Sequence, residues 1–567
     1  MSQRTTSVLA FAVLAGSLLF GLIVHLSNPV LPVDDAYITY RYSDNLLNGQ
    51  GLVYNPGQKV FGSSTPLYVM WLAGLHAMAR SVPTPELAVR ANFVFYALTA
   101  LGVFFLLMSL GGSPALAAVL AGLLSMHPSL LRASLGGMET FLFTGLLVWS
   151  LWSLTTRRFG LSAWLAGLSV VTRPEGMLMV AVVFGYWLMA RRDWRELIGL
   201  FVPGMVWVAF ATSYFGTPVY HSILAKSRPL YPLPAGAALG TLVSQVVQWT
   251  MRGWVPLFGD VLMAKLLLLV PVLAIAVFGY VQRMRSRIPA GGDSLTFIKP
   301  SPDAPERPAS PALLFGRKAA RLKDSAWAVP ALLALFVVFY TVSNPLMTAW
   351  YYPPVECLWY VALALGVVFA SAWLQDHRGQ WLARIPVLVL VGLIGVSTLS
   401  HLIDRIATRR PATDMGLNTS PVLERTTGYR AAAEWLNQVV PPGDTLVAPE
   451  IGTLGYYYRG HVLDACGLVS PEALPFLPVP ASERTSPAVG TISLELVKYF
   501  ECDVVVTMEM FASRSLYPSD WFHQNYEQVR QIPLSLHTWG TGGAIDVFFR
   551  RGGRALQNWR KAAAPPG

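Results

Sequence analysis

The chain has 567 residues, 54% hydrophobic and only 13% charged, with a mean hydropathy of +0.47. That is too apolar for a soluble protein of this length and points to an integral membrane protein. The formal charge of +11 does not indicate nucleic acid, because the basic residues collect beside apolar segments as topology signals do and no basic-aromatic module accompanies them.

Residues 8–26 form an apolar run after Arg4. No small-residue cleavage site follows, so a retained first transmembrane helix is expected rather than a removed signal peptide. The next stretch carries Asp34 and Asp35, with Arg41 in the same run. Adjacent carboxylates at the edge of a membrane span are costly unless they serve chemistry or bind a cation; a solvated acidic loop is the plain alternative. Two turn-rich segments follow, Gly49-Gln-Gly51-Leu-Val-Tyr-Asn-Pro-Gly57 and Phe61-Gly-Ser-Ser-Thr-Pro66.

Further crossings are expected near 88–110, 114–127, 139–155, 160–172, 176–190, 196–214, 260–281, 326–343, 355–374 and 385–402, roughly eleven in all, several of them short. Residues 66–80 are assigned to the interface rather than to a crossing. The loop 282–325 carries nine Lys/Arg against four Asp/Glu and six prolines, the composition of a disordered cytoplasmic loop. With Arg4 inside, this count puts that loop, Arg157-Arg158, Arg191-Arg192 and Arg378 to Arg384 all inside. The same parity sends five polar segments to the outer face: Asp34-Asp35, the turn at Glu139, Thr172-Arg173-Pro174-Glu175, Ala225-Lys226-Ser227 and Trp350-Tyr351-Tyr352-Pro353. A single extracytoplasmic site would need that arrangement.

Beyond about residue 403 the composition becomes that of a soluble domain. An amphipathic helix over 429–440 and strands at 445–448, 462–463, 504–507 and 545–549, with helices at 451–458 and 493–500 between them, predict a small α/β domain over 403–567. It lies outside the membrane by parity, and no Gly-rich phosphate loop accompanies it. Cys357, Cys466 and Cys502 have neither zinc spacing nor a disulfide framework; Cys466 and Cys502 either pair or stay as buried thiols.

The stretch DDAYITYRYSDNLLNGQGLVYNPGQKVFGSSTPL, residues 34–67, resembles the first extracytoplasmic loop of bacterial GT-C glycosyltransferases, closest to the arabinofuranosyltransferase-like group and more distantly to protein mannosyltransferases and the lipid A aminoarabinose transferase. The resemblance implies a polytopic helical GT-C domain over 1–402 in the inner membrane, with its site on the outer face. It implies an inverting transferase that moves a sugar from a polyprenyl phosphate to an envelope glycan, lipid or protein. In such families the first acidic residue of this loop is the usual base. Asp34 is therefore the expected base, with Asp35 positioning the acceptor or, with Asp34, a Mg²⁺ or Mn²⁺ ion, although two carboxylates underdetermine a metal site.

The leaving phosphate needs cations on the same face, and Arg41, Arg132, Arg173, Lys226 and Arg228 are the candidates. Lys226 and Arg173 rank first. Each has a plain reading as well: Arg132 as an interfacial snorkeller, Arg173 as a partner of Glu175 or Glu139, Arg228 as a surface charge. Glu139, at a helix start, is favoured by the helix dipole and also suits a pocket. Tyr351 and Tyr352 fit an aromatic belt or a sugar-stacking wall equally well. His127 and His221 are assigned structural roles. A lipid-linked-sugar transporter or flippase is the rival from another class, but no repeated halves are visible and the polar motifs lie at span ends. A non-catalytic envelope assembly partner is the third reading.

Overall fold

The computed structural model describes residues 3–30, 32–190, 193–228, 230–251, 262–285, 325–411, 421–534 and 543–563. Among the described residues five helices are long and apolar enough to cross a membrane: Val8–Ser27, Thr84–Ser109, Trp194–Phe215, Ala349–Arg378 and Gln380–Ala407. Pro114–Ser125 and Pro128–Ser134 make a sixth span if taken together, bent by 62° at their junction. The cause of the bend is local. Pro128 opens the second helix and its predecessor His127 is extended, at φ −63° and ψ 125°, as the residue before a proline tends to be.

The protein is thus an integral, multi-pass membrane protein. Each of the roughly eleven expected crossings falls on a helix, but several, such as Thr140–Thr155, Phe159–Thr172 and Gly176–Ala190, are short apolar helices. Pro66–Met78 is a helix of 13 residues, about 20 Å long and shorter than a hydrocarbon core of about 30 Å. Helices approach closely where side chains vanish: a Cβ on Gly279 would lie 1.9 Å from the carbonyl oxygen of Gly366. Most of the basic loop 282–325, and Arg191-Arg192, lie outside the described residues.

The stretch expected as a loop at 34–42 is instead the start of a helix, Asp34–Leu47. Two carboxylates in its first turn suit the positive end of the helix dipole, and Tyr37, Tyr40 and Arg41 recur at helical spacing on its buried side.

Residues 445–550 form a five-stranded sheet: β1 Thr445–Ala448, β2 His461–Asp464, β3 Val504–Met508, β4 Tyr526–Pro533 and β5 Ala544–Arg550, in the order β2-β1-β3-β5-β4. β1 pairs in parallel with β2 and β3, whereas β5 is antiparallel to β3 and β4. β1 alternates, with Leu446 and Ala448 packed on one side and Val447 on the other. Helices Pro421–Val439 and Thr453–Tyr457 cover the first face and Leu494–Phe500 the second. β4 escaped the sequence reading because it is an edge strand whose exposed, polar positions interrupt any apolar run, and Pro533 at its end is tolerated there. Cys357, Cys466 and Cys502 are buried free thiols, so Cys466 and Cys502 do not pair.

Candidate functional site

The site begins where the segment after the first helix meets the sheet domain. Asp34 Oδ1 accepts the backbone N–H of Thr453 at 2.8 Å, and Oδ2 accepts that of Gly452 at 3.2 Å. The Tyr54 hydroxyl donates to the carbonyl of Ile451 at 2.6 Å. Gly452 is required by the closeness of this contact, since a Cβ there would fall 2.0 Å from the Asp34 carbonyl oxygen. Asp34 therefore anchors the segment 451–453 against the membrane-embedded part of the chain.

Asp35, about 100° further round the helix, faces elsewhere. Lys226, Arg425 and Glu139 are its charged neighbours beyond Asp34, and it remains half-buried. Removal from water, and next the charge of Asp34, raise its pKa to about 6, against the opposing pull of Lys226 and Arg425. A carboxylate in this state is ionised at neutral pH and can take up a proton more readily than an ordinary one.

Lys226 stands on the short helix His221–Ser227. Tyr351, Asp35, Arg173 and Glu175 all act on its ammonium, yet the residue is solvent-exposed.

Behind it lies a buried ion cluster. Arg173 donates to Glu139 Oε1 at 2.9 Å, to Glu175 Oε1 at 2.9 Å and Oε2 at 3.3 Å, and to the carbonyl of Trp350 at 3.4 Å. Its guanidinium also lies 5.1 Å from the Tyr351 ring centre. The fold thus brings Glu139, Arg173, Glu175, Lys226, Tyr351 and Asp35 together from five separate stretches of sequence. Glu139 Oε2 is buried without a hydrogen-bond partner. Tyr352 turns away: its hydroxyl donates to the carbonyl of Met347 and its ring packs on Trp249.

Arg41 does not join the cluster. It donates to the carbonyls of Tyr54, Gly455, Tyr458 and Gly460 and to Asn55 Oδ1, which occupies every direction in which a guanidinium can donate. It is a clamp between the segment after the first helix and the sheet domain. Arg228 donates to the carbonyl of Leu474 at 2.7 Å, and Arg132 is exposed. His127 is a buried partner of Glu356 at 2.7 Å.

Two residues that sequence reasoning missed complete the site from the C-terminal side. Arg425 lies 3.3 Å from Glu450, and Asp34 and Asp35 both act on it. Burial raises the Glu450 pKa to about 7, Arg425 opposing and Asp34 reinforcing. The overlooked signal was a carboxylate two residues beyond the carboxyl end of a parallel strand, in Ala448-Pro449-Glu450. Among the described residues no group of three or more His, Cys, Asp or Glu could hold a metal ion.

Over 218 residues the chain is 31% identical to the terminal β-(1→2)-arabinofuranosyltransferase of Mycobacterium tuberculosis. The chain is similar to an arabinofuranosyltransferase. The match covers 34% of this chain and 34% of that protein, so it spans about a third of the relative's length. A family model described as a domain of unknown function (DUF8728) matches residues 420–553. Among solved structures, the arabinofuranosyltransferase AftD from Mycobacteria aligns with 97% of this chain and 40% of its own, at TM-score 0.48 and 17% identity. ArnT from Cupriavidus metallidurans bound to undecaprenyl phosphate aligns with 95% of this chain and 97% of its own, at TM-score 0.41 and 13% identity.

Proposed function

We propose that the chain is an inverting glycosyltransferase that moves a sugar from a polyprenyl-phosphate donor to a hydroxyl of an envelope glycan, lipid or protein on the extracytoplasmic face. The observation that carries this reading is that Asp35, its pKa raised to about 6, and the Lys226 ammonium lie within each other's electrostatic reach. The match to an arabinofuranosyltransferase supports the reaction class.

The chemistry divides between these residues. Asp35 takes the proton from the acceptor hydroxyl as that oxygen attacks the anomeric carbon. The bond from that carbon to the phosphate oxygen breaks on the opposite face, and Lys226 meets the charge that gathers on the departing phosphate. Asp34, the base expected from the loop resemblance, has both oxygens engaged by backbone amides, which favours an anchoring role and leaves the base to Asp35. Arg173, held by Glu139 and Glu175, supports the Tyr351 ring, and Tyr351 acts electrostatically on Lys226.

The test is transfer by purified protein from a panel of radiolabelled polyprenyl-phosphate sugars, arabinofuranose first. Transfer by the wild type, lost in Asp35→Asn with donor binding retained, is the expected result. Movement of intact lipid-linked sugar across a vesicle membrane, with no transfer, would replace the enzyme by a transporter.

A further inference from the structure

The end of helix Tyr352–Arg378 remote from Arg173 carries charge that its protein neighbours leave unpaired. This helix starts beside Trp350 and Tyr351 at the Arg173 cluster and runs for 27 residues, about 40 Å, before the chain turns at Gly379 into helix Gln380–Ala407. Arg378 and Arg384 flank the turn, and both are exposed. Among the described residues neither lies within ion-pair distance of a carboxylate. Arg384 instead sits over the Trp381 ring, 5.3 Å from its centre. On the neighbouring helix Leu262–Arg285, Arg283 sits over the Phe369 ring at 4.8 Å. Asp376, exposed, is the one acidic residue between 373 and 385, and His377 stacks on Trp373.

The contrast with the other end of the helix is chemical. There Arg173 is neutralised by Glu139 and Glu175 and Arg41 is saturated by carbonyls. Positive charge at a helix end marks a membrane side in itself, but the surface around Gly379 is also layered. Trp381 is 82% exposed, and Ile385, Leu388 and Val389 follow it at helical spacing, each exposed as well. One helix face thus presents a guanidinium, then an indole, then an apolar stripe. An acidic peptide or a nucleic acid would match the guanidinium groups and leave the stripe bare. A molecule with an anionic head and apolar chains matches all three layers: arginine suits phosphate, and tryptophan sits at headgroup level.

We infer that the turn between Arg378 and Arg384 is a seat for an anionic phospholipid, its phosphate held by the two guanidinium groups, its glycerol region against Trp381 and its chains along Ile385, Leu388 and Val389. Basic clefts between the ends of membrane helices bind acidic headgroups in this way. The seat is remote from Asp35 and Lys226 and does not depend on the reaction proposed for them.

The experiment measures binding of phosphatidylglycerol and of phosphatidylcholine to the delipidated full-length protein by native mass spectrometry. The wild type should prefer phosphatidylglycerol. Arg378→Gln and Arg384→Gln should each weaken phosphatidylglycerol binding about fivefold, the effect of one basic residue at an anionic surface, and leave phosphatidylcholine binding unchanged. Asp376→Asn, which removes the opposing charge, should strengthen phosphatidylglycerol binding, a change in a direction that a folding defect would not produce. Arg195→Gln, at an exposed arginine on another helix, should have no effect. Equal binding of the two lipids by the wild type, or unchanged phosphatidylglycerol binding in the variants at 376, 378 and 384, would overturn the inference. An equal loss in Arg195→Gln would replace the seat by diffuse attraction. A dimer that Trp381→Ala disperses would give the surface to a second copy of the chain and overturn the lipid seat as well.

Discussion

The Asp34 carboxylate accepts the backbone N–H of Thr453 at 2.8 Å across 419 residues of chain. With the second amide from Gly452, this one side chain satisfies two donors at the start of helix Thr453–Tyr457 and sets the sheet domain against the membrane-embedded part. Its neighbour Asp35 makes no such contact and faces Lys226 and Arg425 instead. A step of one residue along a helix thus separates an anchor from a group that can act on substrate.

Asp34→Asn keeps the shape of the anchor but replaces charge-assisted hydrogen bonds by neutral ones, a difference of about 1 kcal/mol or more. Its melting temperature should fall, and limited proteolysis should release the C-terminal domain faster than in wild type. Gly452→Ala should do the same by steric means. Wild-type stability in both variants would show that the contact does not hold the domains together.

Asp35→Asn should behave in the opposite way. Turnover falls by about 10² to 10⁴-fold for a lost general base, with donor still bound. The Asp35 pKa is raised from 3.8 to about 6, so the folded protein holds this proton more tightly than the unfolded chain. Stability therefore falls as pH rises from about 4 through about 6 and stays lower above that. The Asn variant lacks this loss, and its melting temperature at neutral pH should equal or exceed that of wild type. In wild type, activity should fade as pH drops through about 6, because the base must be ionised. A lower melting temperature together with full activity would return the catalytic role to Asp34.

Lys226→Ala and Arg173→Ala should differ in kind. Lys226 is exposed, so its loss should weaken donor efficiency about tenfold with little change in melting temperature. Arg173→Ala leaves Glu139 and Glu175 buried without their cation, at a cost of about 3 to 5 kcal/mol. It should be read first as a folding defect, by calorimetry in detergent. Equal stability losses in the two variants would place Lys226 in the structural cluster instead.

Topology is constrained by the same contacts. Arg41 bonds to the carbonyls of Gly455, Tyr458 and Gly460, and Arg228 to that of Leu474, so the segment after the first helix and the sheet domain share a membrane side. Reporter fusions near residues 50 and 480 should agree with each other and report outside, while one near residue 300 reports inside. Opposite signals at 50 and 480 would be incompatible with the contacts described.

Much of this was legible in the chain itself, because hydropathy, helix period and strand alternation are local properties. The apolar segments fall on helices, and the strands at 445–448, 461–464, 504–508 and 544–550 sit where β-rich runs predict them. Tertiary structure alone decided which charges meet. Arg41 and Arg173 look alike as basic residues beside apolar segments, yet one is saturated by carbonyls about 400 residues away and the other by two carboxylates. Arg425 carries no local mark of function and Glu450 only its place just beyond a strand, and the fold alone sets both within the electrostatic reach of Asp35. The reason is the range of the forces: secondary structure is set by neighbours within a few residues, whereas the state of a buried charge is set by whatever the fold brings within a few ångströms of it.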